Sequence, residues 1–177
     1  MKFFKILFFF ITMSSASFSN TISAYDFEFT SITGEKLKLK NFEKKALLVV
    51  NVASNCGFTK QYAGLQKLWE NYKSKGLVVI GIPSNDFNQE LKSKEEVKKF
   101  CETNFSINFP MSDITKIKGS EAHPFYAWAK ETYGNNTVPK WNFYKILIDK
   151  NGNIVDTFGS LTKPDSSKLI TAIEKIL

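Results

Sequence analysis

The 177-residue sequence contains no arginine, one histidine and only two cysteines. Two cysteines are too few for a disulfide-stapled mini-protein or a four-thiolate zinc site, and one histidine excludes a multi-histidine metal centre. All 24 basic residues are lysines, and the formal net charge is +7. A nucleic-acid-binding protein of this charge would normally use arginine for bidentate contacts to guanine or phosphate. We therefore expect neither a metal ion nor a nucleic-acid partner.

The N-terminus has the order of a secretory signal peptide. Two lysines precede an apolar run over residues 6–13, and a stretch of small residues follows it. The run is about half the roughly 20 residues that a membrane-spanning helix requires. We predict that residues 1–24 form the signal peptide, that residues 25–177 form a single domain, and that the protein is exported to the periplasm or secreted. The alternative is that the segment is an N-terminal extension of the domain.

Hydrophobic patterning predicts an α/β domain. Residues 47–53 and 77–82 form continuous apolar runs, which are typical of strands buried on both faces. Apolar residues at helical spacing over 62–72 and 97–105 predict a helix after each strand. Residues 27–39 alternate in polarity on either side of a turn and predict an N-terminal hairpin. The order of these elements predicts a sandwich that starts with parallel strands.

The C-terminal third of the chain carries further signals. Residues 124–132 predict another helix, for which His123 is expected to be a structural or capping residue. The pair Asn151-Gly152 predicts a hairpin turn between two strands. Pro164 is expected to open the last helix, whose apolar residues continue to Leu177.

Cys56 follows the first buried strand and precedes the first predicted helix. The free N–H groups at a helix N-terminus favour an anion, and such a position can lower a thiol pKa from about 8.5 toward neutrality. Residue 59 is threonine, so a dithiol motif with cysteines three residues apart is excluded. A lone activated cysteine suits attack on an O–O bond with sulfenic acid as the product. An inert buried cysteine is the alternative.

Around Cys56 and in three later segments, the sequence resembles the glutathione peroxidase family. The stretch Asn51–Gly57 is similar to the family's peroxidatic segment, and Gly81–Phe87 is similar to its second characteristic segment. Two more segments, Ala122–Tyr126 and Trp141–Phe143, match in the family's order. The resemblance covers essentially all of residues 25–177. It implies a thioredoxin-like fold with a central mixed sheet flanked by helices.

The resemblance also implies a catalytic tetrad of Cys56, Gln89, Trp141 and Asn142, with no metal or organic cofactor. The indole N–H and the two amides are neutral donors that can hold a thiolate and a peroxide oxygen without titrating. The alternative roles are a core aromatic for Trp141 and loop caps for the two amides. Cys101 matches the position of the resolving cysteine in thioredoxin-dependent members. It also lies on an apolar helical stripe, so a packing role remains open.

The sequence departs from the family pattern in three ways. The segment Phe87–Leu91 is one residue shorter than usual, which makes Asn88 an alternative to Gln89. Members that use glutathione bind its carboxylates with basic residues that are often arginine, and this chain has none. Only 12 residues separate Trp128 from Trp141, as in the short members that are monomeric or dimeric and depend on thioredoxin.

Together these features predict a thiol peroxidase. Cys56 would reduce hydrogen peroxide and organic or lipid hydroperoxides, Cys101 would resolve the oxidised cysteine, and a thioredoxin-like dithiol would recycle the enzyme. A true glutathione-dependent peroxidase and a non-catalytic redox sensor are the alternatives. The lysines within residues 92–99 predict a solvated helix face, which could also contact an anionic membrane surface peripherally.

Overall fold

The structure is a computed structural model in which residues 22–177 are described. These residues form six strands: β1 (Glu28–Thr30), β2 (Lys36–Lys38), β3 (Ala46–Val52), β4 (Leu77–Pro83), β5 (Lys145–Ile148) and β6 (Ile154–Phe158). The first two pair as an antiparallel hairpin, as predicted. The other four form a mixed sheet in the order β4-β3-β5-β6. In it β3 and β4 are parallel, and β5 is antiparallel to both neighbours.

The described residues also form four α-helices: α1 (Gln61–Tyr72), α2 (Lys94–Phe105), α3 (Pro124–Tyr133) and α4 (Ser167–Ile176). A capping box between Ser93 and Glu96 starts α2 and satisfies backbone N–H groups at both positions. Pro124 occupies the first position of α3, and the Nδ1 atom of His123 accepts the N–H of Phe125. The structural role predicted for His123 is therefore confirmed.

Both faces of the sheet are covered, which explains why every residue of β3 is buried. Leu48 and Val50 pack with apolar residues of α1, α2 and α4. Leu47 and Val49 point the opposite way and pack with α3 and the β1–β2 hairpin. This alternation follows from the two-residue period of a strand. The helices therefore flank a central mixed sheet, which confirms the predicted fold class.

The last helix begins later than the sequence suggests. Its N-cap is Ser166, whose hydroxyl accepts the N–H of Leu169 at 3.4 Å. Pro164 instead packs against α1, where a Cβ added to Gly64 would lie 3.1 Å from the Pro164 Cγ. The prediction that Pro164 opens α4 is therefore wrong. A serine two residues later provides the acceptor that the first helical turn needs.

The predicted signal peptide lies outside the described residues except for its last three positions, where the packed structure already begins. The Ala24 N–H donates to the Gly152 carbonyl at 2.9 Å, and Ala24 is completely buried. Within residues 22–177, no helix has the length and apolar character needed to cross a bilayer. The same residues contain no group of three or more histidine, cysteine or acidic side chains suited to a metal ion.

Candidate active site

Cys56 lies in the turn between β3 and α1, and its side chain is 9% exposed. Its Sγ atom accepts a hydrogen bond from the Phe58 N–H at 3.4 Å. The expected position at the helix N-terminus needs a correction, because α1 begins only at Gln61. The N–H group that reaches the sulfur therefore belongs to the turn and not to the first turn of the helix.

Thr59 holds this turn in shape. Its hydroxyl oxygen accepts the Cys56 N–H at 3.0 Å and lies 2.7 Å from the Cys56 carbonyl oxygen, to which it can donate. The Thr59 N–H also donates to that carbonyl, at 3.0 Å. The residue that excludes a dithiol motif therefore fixes the backbone around the single cysteine. This role of Thr59 was not predicted from the sequence.

Gln89 and Asn142 meet beside the cysteine turn. The Asn142 Nδ2 donates to the Gln89 Oε1 at 2.9 Å, and the Asn55 N–H, next to Cys56, donates to the Gln89 carbonyl at 2.9 Å. Asn88 is exposed and has a φ of +57°, a left-handed conformation that asparagine tolerates. Asn88 thus accommodates the shortened segment, and Gln89 is the amide that joins the predicted site.

Asn142 is completely buried, and its Oδ1 atom has no hydrogen-bond partner among residues 22–177. A buried acceptor without a partner is uncommon and costly, which is typical of a position that a bound group completes. The loop-cap alternative for Asn142 does not describe this environment.

Trp141 borders the site and is 42% exposed, so it is not the core aromatic of the alternative interpretation. Its ring packs on Phe87 with a centroid distance of 5.1 Å. Lys118 in turn places its ammonium group 4.0 Å from the centre of the Phe87 ring. The indole is therefore held on one side and open to solvent on the other.

Asn51, at the end of β3, fixes the loop that carries Trp141 and Asn142. Its Nδ2 donates to the Trp141 carbonyl at 3.1 Å, and its Oδ1 accepts the Tyr144 N–H at 3.1 Å. Its own carbonyl accepts the N–H of Phe143, a residue with a φ of +62°. Asn51 belongs to the first matching segment, but its link to a loop 90 residues later was not predicted.

Lys145 is a second unpredicted residue near this loop. It is completely buried in β5, and its ammonium group donates to the Gln61 Oε1 at 2.9 Å and to the Phe143 carbonyl at 2.8 Å. Burial lowers the pKa of Lys145 to about 7. The amine therefore joins the start of α1 to the strained residue that follows Asn142. The sequence feature that could have indicated this role is a lysine within the apolar run of a strand.

Glu90 joins the cysteine turn to the Gln89 segment. It is 8% exposed, and its Oε1 accepts the N–H groups of Ser54 and Leu91 at 3.0 and 2.8 Å. Its Oε2 is buried with no partner among the described residues. Burial raises the pKa of Glu90, against the opposing effect of the hydrogen bonds from Ser54 and Leu91. The acidic residue directly after Gln89 was the only sequence signal for this role.

Cys101 lies in α2 and is 1% exposed. Burial raises the pKa of Cys101 to about 12, a shift that the neighbouring Tyr62 hydroxyl opposes. Both cysteines are free thiols, and both belong to the hydrophobic cluster on the α1, α2 and α4 side of the sheet. Cys101 cannot act as a nucleophile in this position, because its thiol is both protonated and enclosed.

The sequence matches one family model and is similar to several known proteins. Residues 24–130 match the family model described as Glutathione peroxidase. A hydroperoxy fatty acid reductase of Synechocystis is 38% identical over 92% of this chain and 99% of its own. A glutathione peroxidase-like peroxiredoxin of Saccharomyces cerevisiae is 42% identical over 82% of this chain and 93% of its own.

Solved structures extend the comparison. The crystal structure of T. cruzi GPX1 superposes with a TM-score of 0.66 at 31% identity, over 88% of this chain and 94% of that one. A thioredoxin-family thiol:disulfide interchange protein from Chlorobium tepidum reaches a TM-score of 0.65 at only 16% identity, over 87% and 94% of the two chains. The second likeness concerns the fold alone, and it confirms the thioredoxin-like fold.

Proposed function

Because this chain belongs to the glutathione peroxidase family and is a thiol peroxidase, we propose that Cys56 is its peroxidatic cysteine. We assign Gln89, Trp141 and Asn142 to the rest of the catalytic tetrad. The observation that carries this proposal is the pair of hydrogen bonds that join Asn142 to Gln89 and Gln89 to the residue before Cys56. These bonds join two amide residues, from loops distant in sequence, to the backbone of the residue before Cys56.

In the first half-reaction the Cys56 thiolate attacks the terminal oxygen of the hydroperoxide. An S–O bond forms, the O–O bond breaks, and the leaving alkoxide or hydroxide takes a proton to become alcohol or water. Cys56 is left as a sulfenic acid. The Phe58 N–H stabilises the sulfur anion, and the amide and indole N–H groups stabilise the charge that develops on the leaving oxygen.

In the second half-reaction Cys101 attacks the Cys56 sulfenic acid, so that a disulfide forms and water leaves. Cys101 is 1% exposed within α2, so part of the helix must open before its thiol can reach Cys56 and form a disulfide. The helix buries only Val97 and Cys101, and its remaining residues are exposed or half-buried. Local opening of such an element costs little relative to global unfolding.

The reductant that we propose is a thioredoxin-like dithiol. It would attack the Cys56–Cys101 disulfide by thiol–disulfide exchange. Both cysteines would return to thiols, and the dithiol would become a disulfide. The yeast relative is named a peroxiredoxin, and this chain lacks the arginines expected for the carboxylates of glutathione. Glutathione remains the alternative reductant. The short segment between Trp128 and Trp141 supports a monomer or a dimer.

Export is part of the proposal, with signal cleavage before the packed residues begin. The N–H of Ala24 is bonded to Gly152, so we place the cleavage site N-terminal to Ser23. The reductant must then be a dithiol of the same compartment.

The substrates that we propose include lipid hydroperoxides, for which the name of the Synechocystis relative is the support. Peripheral membrane contact through α2 has weaker support than the sequence suggested. Lys94 lies 4.0 Å from Asp113 and Lys98 lies 3.9 Å from Glu102, so two of the four lysines face a carboxylate.

Steady-state peroxide consumption with a panel of reductants tests the proposal. We expect repeated turnover with a thioredoxin-type dithiol and much slower turnover with glutathione. Faster turnover with glutathione would favour the glutathione-dependent alternative. Consumption of one equivalent and no turnover with any reductant would favour the redox sensor.

A further inference from the structure

A cluster of buried polar side chains connects the cysteine turn with α2. Its members are Ser54, Tyr62, Glu90 and Cys101, all of which are buried. The Ser54 Oγ, the Tyr62 hydroxyl and the Glu90 Oε2 have no hydrogen-bond partner within the described part of the chain. Buried polar atoms without partners are uncommon and costly. Three such atoms in one cluster indicate a role beyond packing.

Glu90 joins this cluster to the turn that carries Cys56. Its Oε1 accepts the N–H of Ser54, two residues before Cys56, at 3.0 Å. The N–H of Leu91 donates to the same oxygen at 2.8 Å. Both hydrogen bonds therefore use one oxygen of the carboxylate, and the Oε2 atom is left free to accept a proton.

Tyr62, in α1, joins the cluster to α2 and to the loop of the proposed tetrad. Its ring packs on Phe105 of α2 and on Phe143, which follows Asn142, with a centroid distance of 5.4 Å in each case. Burial, with the charges of Cys101 and Glu90, raises the pKa of Tyr62, so the hydroxyl stays a donor. This hydroxyl neighbours the Cys101 thiol and favours its thiolate against the effect of burial on the pKa.

The charged groups that most affect Cys101 are two carboxylates. Glu90 and Glu102 both add to the effect of burial, which raises the Cys101 pKa. Glu102 is exposed on α2 and lies 3.9 Å from Lys98, whereas Glu90 is buried. Burial also raises the pKa of Glu90. Because neighbouring like charges oppose each other, the Cys101 thiolate is favoured when Glu90 carries a proton.

Glu90 is also close to the path that the Cys101 thiol must follow. The carboxyl affects the pKa of Cys101 while α2 is closed, so it lies near the start of this path. Its hydrogen bond to Ser54 places it beside the Cys56 turn, where the path ends. The free Oε2 can therefore take the thiol proton as α2 opens and Cys101 approaches Cys56.

We propose that Glu90 is the general base of the resolving step and that the Tyr62 hydroxyl stabilises the Cys101 thiolate. The Glu90 carboxylate takes the proton of the Cys101 thiol, and the thiolate attacks the sulfenic sulfur of Cys56. The S–S bond forms as the S–O bond breaks, and the leaving hydroxide takes the proton from Glu90 and departs as water. The Cys56 sulfur is reduced while the Cys101 sulfur is oxidised. The proposal rests on the proposed peroxidase function and names the residues that drive its second half-reaction.

The rate of disulfide formation in a single turnover tests the proposal. Reduced enzyme is mixed with one equivalent of hydrogen peroxide, quenched with acid at intervals and measured by intact mass. The sulfenic acid has gained an oxygen atom and the disulfide has lost two hydrogens, so the two steps are followed separately. The variants are Glu90→Gln, which keeps an oxygen for the same backbone N–H groups, and Tyr62→Phe, which keeps both ring contacts. The control is Glu102→Gln, which removes the exposed carboxylate near Cys101.

We expect the sulfenic acid to accumulate in Glu90→Gln, with disulfide formation slowed about a hundredfold by the loss of a general base. Tyr62→Phe should slow the same step about tenfold, as expected for the loss of one hydrogen bond to a charged group. The Glu102→Gln control should form the disulfide at least as fast as the wild type. Equal rates in the wild type and Glu90→Gln would overturn the proposal.

A pH profile separates a base from a carboxyl that only shapes the turn. In the wild type, disulfide formation should accelerate as the pH rises through the raised pKa of Glu90, because only the carboxylate accepts a proton. Glu90→Gln should lack this acceleration, and a profile parallel to that of the wild type would show that Glu90 is not the base. If the wild type consumes peroxide but forms no Cys56–Cys101 disulfide, the proposed second half-reaction itself is wrong. If the disulfide forms equally fast in all variants, only the roles of Glu90 and Tyr62 are wrong.

Discussion

The Asn142 side chain donates a hydrogen bond of 2.9 Å to the side-chain oxygen of Gln89. This bond orients both amides: the Gln89 NH₂ group remains free to donate, and the Asn142 Oδ1 remains free to accept. One residue lies on a loop after β4 and the other on the loop before β5, so each depends on the other for its orientation. In the proposed tetrad, this bond would fix the orientation of one donor and one acceptor before a peroxide arrives.

The effects of substitutions at Gln89 and Asn142 on the peroxide rate should not be additive. We expect Asn142→Ala and Trp141→Phe each to slow the peroxide step by about ten- to a thousandfold, because the first releases the Gln89 amide that Asn142 orients and the second removes the indole N–H donor. The combination of Gln89→Ala with Asn142→Ala should cost less than the product of the single effects, because the first change already frees the partner. Stopped-flow oxidation rates measure this. Unchanged rates in the single variants would contradict the tetrad assignment.

Glu90 should stabilise the fold through its hydrogen bonds to Ser54 and Leu91. Glu90→Gln keeps an oxygen for the N–H groups of Ser54 and Leu91, whereas Glu90→Leu leaves both buried donors unpaired. We expect Glu90→Leu to lower the free energy of unfolding by about 1–3 kcal/mol for each lost partner. Urea unfolding of the two variants at the same pH gives the comparison. Equal stability of both variants would contradict the assigned role.

The raised pKa of Glu90 also predicts a pH dependence. The native state then binds the Glu90 proton more tightly than the unfolded state does, so this contribution to stability is complete below pH 4.5 and is lost as the pH rises through the folded-state pKa. The stability of Glu90→Gln relative to the wild type should therefore increase with pH over this range. A constant difference between the two proteins would show that burial does not shift this carboxyl.

Lys145 predicts the opposite slope at higher pH. Its pKa is lowered from 10.5 to about 7 in the folded protein, so the unfolded state binds more protons between these values. The free energy of unfolding should therefore rise with pH across this range, by up to about 1.4 kcal/mol per pH unit. In Lys145→Met this contribution should be absent. Urea unfolding from pH 7 to 10 for both proteins is the measurement, and parallel curves would contradict the prediction.

Sequence patterns were sufficient to predict the elements that depend on residues close together in the chain. The buried run of β3, the capping box at Ser93 and the His123 cap depend on residues that are neighbours in the chain, and the structure confirms them. The start of α4 was predicted wrongly because Pro164 satisfies the rule for a first helical position, while its actual role is a contact with Gly64, 100 residues earlier. Only the folded chain shows which of the two roles the proline has.

The proposed active site likewise combines residues that the sequence predicts with residues that only the folded structure identifies. The tetrad residues came from matching segments, but the residues that hold them together did not. Glu90, Asn51 and Lys145 form hydrogen bonds that span 36 to 93 residues, and no local pattern encodes such pairings. Lys145 also contradicts the general expectation that lysine is exposed. A polar residue within an apolar strand was the one sign that it has a buried partner.

Signal cleavage should occur N-terminal to Ser23. The Ala24 N–H bond to Gly152 and the complete burial of Ala24 tie this residue to the hairpin between β5 and β6. Intact mass of the protein purified from the producing cell identifies the mature N-terminus. Retention of Met1 would refute export by cleavage, and a terminus beyond Ser23 would contradict the role of Ala24 in the fold.

The central claim is that Cys56 reduces the peroxide and that Cys101 acts afterwards. The most direct measurement is a single turnover with one equivalent of peroxide, followed by peptide mapping, for the wild type, Cys56→Ser and Cys101→Ser. We predict that the wild type forms a Cys56–Cys101 disulfide, that Cys101→Ser consumes the peroxide and accumulates sulfenic acid at Cys56, and that Cys56→Ser consumes none. Peroxide consumption by Cys56→Ser at the wild-type rate would contradict the account.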